Sequence, residues 1–249
     1  KNLNKKITVD YYDDKNNLKT GETEISKVVF SPFGNQLVVT DTCTGAGGLS
    51  LSGWALFYEN GQSLDILNTD FYGAAEGKKV TNVLEFLKAG VNTKTLKFVP
   101  LKDRAVSEAA MKMEKQMVGT YPMVFKTNDY GSIVVTDIHI KDGEINIDYY
   151  KDGFSLYDAE FDLLDKDGND VNLGGKFGCT RYTRVHHDTN SYTAQYKFNG
   201  HDENGNEIKT LPKEMSKESL ENALHFINIL GEYNNFELDY DNAFEINLK

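Results

Sequence analysis

The chain reads as a mostly β protein of two tandem β-sandwich domains with one or two short helices. Three observations carry that expectation. The segment Trp54-Ala-Leu-Phe-Tyr-Glu-Asn-Gly-Gln-Ser-Leu64 recurs in outline as Phe161-Asp-Leu-Leu-Asp-Lys-Asp-Gly-Asn-Asp-Val171, each copy a strand, a tight reversal and the start of the next strand. Short runs alternate apolar and polar residues, and 14 Phe and 14 Tyr suit one-sided pleated strands. The 249 residues are enough for two ordinary domains, and 21 Gly against 4 Pro allow many turns and few broken strands.

In the first unit, Ile7-Thr-Val-Asp-Tyr-Tyr12 is a strand that ends in a polar stretch. Glu24 to Phe30 is a second, stopped by Ser31-Pro-Phe-Gly34, and Gln36 to Thr40 resumes the pattern, so the Pro and Gly mark a strand junction. Thr42 to Gly53 is rich in Gly, Ser and Thr but lacks the closing Lys-Ser/Thr of a phosphate loop, which leaves a crossing loop. The Trp54 strand, Ser63 to Leu67, and the alternating Lys94 to Pro100 complete the unit. Ser107 to Met117 is expected as a helix, capped by Ser107 and carrying Ala109, Ala110, Met113 and Met117 at helical spacing.

In the second unit, Ile133 to Ile140, the Lys141-Asp-Gly143 turn and Glu144 to Tyr150 form a hairpin, with Ile145, Ile147 and Tyr149 on one face and Asn146 and Asp148 on the other. The Phe161 copy follows, then Thr193 to Phe198 and a turn at His201 to Asn206. Ser216 to Leu230 is expected as a second helix through Leu220, Leu224 and Ile227, the alternative being an extended Ala223 to Leu230. Phe236 to Tyr240 and Ala243 to Leu248 are expected to close this unit as strands. The domains expected are 1–100, a helical connector at 101–122, and 123–249.

Charge removes some partners. Lys plus Arg total 27 against 38 Asp plus Glu, a net −11, and no basic run offsets it, so neither nucleic acid nor an anionic lipid surface is an expected partner. Cys43 and Cys179 have neither metal-site nor redox spacing and are expected as separate, mostly buried thiols unless the domains bring them together. The sequence holds no run of 18 apolar residues.

Ile25-Ser-Lys-Val-Val-Phe-Ser-Pro-Phe-Gly34, with Asn4-Lys-Lys-Ile-Thr8 before it and Trp54-Ala-Leu-Phe-Tyr-Glu-Asn-Gly61 after it, resembles uncharacterised extracytoplasmic domains of Firmicute membrane proteins, some of them anti-sigma-factor-like. The resemblance covers residues 4 to 100 by motif and the second unit by general pattern. It implies immunoglobulin-like sandwiches outside the cell, anchored by an N-terminal membrane helix upstream of Lys1, and it implies no catalytic residue. The Cys43 to Gly53 loop and the Met113 helix have no counterpart in it.

Cys179-Thr-Arg-Tyr-Thr-Arg-Val-His-His-Asp188 concentrates chemistry in a chain poor in Arg and His. Adjacent strand residues point to opposite faces, so His186 and His187 do not readily share one ion, and no metal or other cofactor is expected. Arg181, Tyr182, Arg184, His186 and His187 are the binding candidates, because guanidinium groups beside a phenol ring can hold a carboxylate or a sugar face. Asp165 to Asp170 resembles a calcium loop in composition only: its Gly comes too early and position 176 is Lys. No nucleophile elbow is present.

The expected function is therefore a non-enzymatic, extracytoplasmic module for protein contacts or sensing, with the Arg181 to His187 segment and the Cys43 to Gly53 loop as its surfaces. One alternative is a cell-wall carbohydrate-binding module using aromatics such as Tyr72, Tyr157, Tyr182 and Tyr192, with Trp54 expected in the core. The other is a metal-dependent enzyme centred on His186 or His187.

Overall fold

Period-two burial organises the first strands. The computed structural model describes residues 1–249 apart from 13–14, 16, 32–33, 43–52, 74–78, 90–91, 104–114, 156–158, 172–176, 187–190, 201–211, 230–235 and 249. Strands β1 (Asn2–Tyr12), β2 (Leu18–Ser31) and β3 (Gly34–Thr42) bury Ile7, Val9, Tyr11, Ile25, Val28, Leu37 and Val39 on one side. Ser31 pairs with Gly34 across the β2–β3 reversal, where the Ser31 hydroxyl donates to the Gly34 carbonyl at 2.8 Å. Then come β4 (Trp54–Tyr58), β5 (Ser63–Leu64), β6 (Ile66–Gly73), β7 (Lys79–Phe86) and β8 (Thr95–Asp103). One sheet runs β1-β2-β3-β7-β6, and a second is centred on the β4–β8 pair. Phe86 of the first sheet meets Phe98 of the second edge-on at 5.8 Å, and Trp54, 2% exposed, lies in that core.

The second unit repeats this plan in register. It contains β9 (Gln116–Met117), β10 (Met123–Lys126), β11 (Gly131–Lys141), β12 (Glu144–Gly153), β13 (Phe161–Leu164), β14 (Phe177–His186), β15 (Ser191–Gly200), helix α1 (Lys217–Ala223) and β16 (Phe226–Ile229). Its five-stranded sheet has the order β10-β11-β12-β15-β14, and β13 pairs with β16 as β4 pairs with β8. A bulge interrupts β2 between Ile25 and Lys27, and another interrupts β11 between Val135 and Asp137.

The two reversals share one hydrogen-bond pattern. Tyr58 N–H donates to Gln62 O (2.9 Å) and Gly61 N–H to Tyr58 O (3.0 Å); Asp165 N–H donates to Asn169 O (2.8 Å) and Gly168 N–H to Asp165 O (3.0 Å). Gly61 and Gly168 sit at φ +83° and +84°, the left-handed position of a type I turn closed by a glycine bulge.

Four expectations change. Ser216 to Leu230 is not one helix: Ser216 caps α1, which ends at Ala223, and Phe226–Ile229 is a strand whose Ile227 and Ile229 alternate into the core beside β13. Met117, placed at the end of a helix, pairs as β9 with Phe226, while 104–114 lie outside the described residues. Phe177–His186 is one ten-residue strand, so the binding candidates Arg181 to His186 are divided between its two faces. The last strands, β17 (Phe236–Leu238) and β18 (Phe244–Asn247), were assigned to the second unit but pair with β8 of the first. Asp239, buried between them, accepts from Asn242 Nδ2 at 2.7 Å and meets Lys102 Nζ at 3.0 Å.

Two compact units result: Lys1–Glu108 with Tyr233–Lys249, and Ala109–Glu232. The protein is thus mostly β and built from several sheets. Among the described residues, no helix is long and apolar enough to cross a membrane.

Candidate functional site

Strand alternation sorts the second unit's large sheet into a core face and an outer face. On β14, Cys179 and Val185 pack against the core, and the alternate residues Thr180, Tyr182, Arg184 and His186 look outward. Register extends these into rows. Tyr182 stands beside Gln195, Asn146 and His139; Arg184 beside Thr193, Asp148 and Asp137; Thr180 beside Lys197, Glu144 and Lys141. Tyr182 is 55% exposed, and the hollow around it, about 420 Å³, is lined by Asn146, Tyr182, Thr183, Arg184, Thr193 and Gln195.

Two carboxylates hold the floor in place. Glu144 accepts from Gln195 Nε2 (2.6 Å) and Asn146 Nδ2 (2.8 Å) and pairs with Lys141 Nζ (2.8 Å). Burial pushes its pKa up, but the donations from Lys141, Asn146 and Gln195 outweigh that and hold it below the ordinary value. Each amide thereby has its orientation set and keeps a carbonyl oxygen and a second N–H for a ligand. Asp148 accepts from Thr193 Oγ1 at 2.6 Å and faces His139 Nε2 at 3.3 Å.

His186 Nε2 lies 2.8 Å from Thr193 Oγ1. A histidine, a hydroxyl and an aspartate are therefore in line, but the hydroxyl sits between the other two and donates to Asp148. A catalytic triad requires the imidazole in the middle, so this line orients a hydroxyl rather than activating it.

The five sequence candidates separate. Tyr182, Arg184 and His186 share the outer face. Arg181 points the other way, ion-pairs with Glu160 and approaches the Tyr196 hydroxyl, tying β14 to the edge of the core. Its guanidinium holds the Glu160 carboxyl below the usual range. His187 lies outside the described residues, as do Cys43, the 43–52 loop and Tyr157. Tyr192, expected as a surface aromatic, is buried and stacks on Tyr149 at 5.1 Å.

No family model, characterised protein or solved structure matches this chain. What the face does must therefore be argued from its own chemistry. Among the described residues no three His, Cys, Asp or Glu side chains are arranged to hold a metal ion. The Asp165 carboxylate accepts backbone N–H groups from Asp167 and Asn169, both at 2.8 Å, which is the bonding of a hairpin turn.

Another hollow, of about 440 Å³, lies in the first unit between Tyr58, Glu59, Lys97 and Tyr240. Its groups are engaged with the protein itself: Lys97 Nζ sits 4.9 Å over the Tyr240 ring, and Glu59 accepts the N–H groups of Lys94 and Thr95 at 2.7 Å. Those backbone donations, Thr95 first, hold its pKa below the ordinary value.

Sequence reasoning missed Thr193 and Gln195 as site residues, although Asn146 and Asp148 were read as one polar face of their strand. The signal was present in Thr193-Ala-Gln-Tyr-Lys-Phe198, whose polar residues alternate with Ala194, Tyr196 and Phe198 of the core.

Proposed function

We propose that this chain is a non-enzymatic recognition module: two tandem immunoglobulin-like sandwiches, held outside the cytoplasm by an anchor beyond this segment, that bind cell-wall carbohydrate through the outer face of the second unit. The observation that carries the reading is Tyr182 and Arg184, exposed side by side above amides already fixed by Glu144. A phenol ring offers a stacking surface for the C–H face of a sugar, and oriented amides and a guanidinium offer hydrogen bonds to its hydroxyls. A protein-binding patch would be expected to carry a dry apolar centre. Around Tyr182 this face is polar, and its apolar residues, the 51% exposed Val124, Val134 and the 37% exposed Tyr150, are confined to the row of Ser191 and His186, two rows away. Two sheets sharing one core in each unit support the sandwich part of the proposal, and the Ser31 to Gly34 motif supports the cellular setting.

One observation favours the rival reading of a protein partner: β14 is a ten-residue edge strand, able to pair with an incoming strand. Binding of the fluorescently labelled chain to Gram-positive envelope material, before and after periodate or protease treatment, separates the two. Saturable binding destroyed by periodate and lost in Tyr182→Ala and Arg184→Ala is the expected outcome. Binding that survives periodate and both substitutions would overturn the proposal.

A further inference from the structure

We infer that the ligand of the Tyr182 face is an acidic glycan, an oligomer of sugars that carry carboxylates. The inference rests on the recognition reading above and adds the charge and length of what is recognised.

Charge accounting on the face supplies the first argument. Its carboxylates are engaged: Glu144 by Lys141, Asn146 and Gln195, Asp148 by Thr193 and His139, and Asp137 by His139 at 3.5 Å. Arg184 and Lys197 make no ion pair among the described residues. In a chain of net charge −11 this face thus balances the three carboxylates with Lys141, Arg184 and Lys197, and a neutral glycan would leave Arg184 and Lys197, on either side of the exposed tyrosine, unused.

Spacing supplies the second. Arg184 lies one row above Tyr182 on β14, and Lys197 lies one row below on the neighbouring β15. Rows on one face are about 6.6 Å apart, so the two cations stand about 13 Å apart along the strands with the ring between them. A single sugar is too short to reach both. Two or three linked residues can rest one ring on Tyr182 and direct a carboxylate toward each cation.

Donor geometry supplies the third. Arg184 presents the planar fork that grips a carboxylate through two parallel hydrogen bonds, whereas Lys197 acts as a point charge. Thr193 and the amides of Asn146 and Gln195 lie between, where sugar hydroxyls would fall. Burial and closed walls are absent from this arrangement, which is a sheet surface open along the strand direction and suited to a polymer passing over it.

The test is calorimetric titration of the whole chain with hexagalacturonate and with hexaglucuronate, beside methyl-esterified hexagalacturonate and inorganic polyphosphate, all with chelator present. Saturable binding of at least one uronate is expected, at least tenfold tighter than the ester and than polyphosphate. Tyr182→Ala and Arg184→Ala each weaken it about tenfold or more, Arg184→Lys weakens it less than Arg184→Ala, and Lys197→Gln weakens it as well. All three side chains are solvent-facing, and unchanged thermal unfolding of the variants confirms their fold. Three results would overturn the inference: no saturable binding of either uronate, equal binding of polyphosphate, or binding indifferent to Tyr182→Ala. Failure here, with periodate-sensitive envelope binding that still depends on Tyr182, would remove the acidic glycan and leave the recognition face.

Discussion

The two units differ most where they correspond most closely. Register places Thr23 and Asp41 of the first where Ile133 and Lys151 stand in the second, and Asn82 where Tyr192 stands. In the first unit the buried Asp41 carboxylate accepts from the Thr23 hydroxyl and, at 2.7 Å, from Asn82 Nδ2. In the second, Lys151, 3% exposed, lays its ammonium 5.4 Å from the centre of the Tyr192 ring. One backbone position thus buries an acid in one copy and a base in the other. The outer faces diverge as well: Val38 pairs with Val83 and Thr40 meets Thr81 in the first unit, at the rows that carry Asp148 and Thr193, and Tyr150 and Ser191, in the second. Alternation and turn chemistry specify the frame, and the frame tolerates opposite charges inside it provided each is satisfied locally.

Removing the buried groups breaks this comparison most forcefully. Asp41→Ala strands two buried donors and is expected to cost about 3 kcal/mol or more in urea unfolding. Lys151→Met keeps a stem that fills the same space and gives up the ammonium with its contacts, the one over the Tyr192 ring among them, a loss of about 1–2 kcal/mol. An equal loss at the two positions would show that the copies do not solve burial differently.

A smaller effect sharpens it. Tyr196 takes the place of Phe86, and its hydroxyl donates to Phe161 O and accepts from Phe161 N–H, both at 2.9 Å. Tyr196→Phe is expected to cost about 2 kcal/mol and to make the second unit resemble the first. Burial pushes the phenol up to about 12 from an ordinary value of 10.0. The folded-state pKa is raised, so the corresponding stability is complete below pH 10 and is lost as pH rises through about 12. Unfolding measured from pH 9 to 12 should show this loss in the wild type and not in Tyr196→Phe.

The smallest test probes what the copies share. Gly61→Ala and Gly168→Ala place a Cβ at the same left-handed φ and should each cost about 1 kcal/mol, the flexible Lys115 ammonium 3.1 Å from the Gly168 Cβ position moving aside at little cost. Unequal losses would deny that the two reversals are equivalent.

That equivalence was legible in the sequence because a tight turn is local: Gly61 and Gly168 declare a positive φ without reference to the rest of the chain. The β11–β12 hairpin was legible for the same reason, through Gly143 and the alternation after it. Phe226–Ile229 was not, because Leu220, Leu224 and Ile227 mimic a helical stripe, and only pairing with distant β13 makes the segment extended. Strand β14 showed no clean alternation, being an edge strand with polar side chains on both sides. For Phe236–Leu238 the strand was readable and its partner was not, since nothing in three residues points to Leu101–Asp103 more than 130 positions earlier. The site divided along the same line. Tyr182 and Arg184 stood out by type, while the amides beneath them came to light only through sheet register.

The return of β17 and β18 to β8 has a consequence for biosynthesis. The first unit is encoded in two pieces, and the second lies wholly between them. A ribosome therefore polymerises everything the second unit needs before the last strands of the first. The unit begun first is finished last, and until Phe236 to Asn247 emerge, the Leu96 to Asp103 strand has an unpaired edge waiting for its partners. Chaperone binding to nascent chains halted at residue 233 should exceed binding to the released chain, in which Phe236 to Asn247 fill that edge.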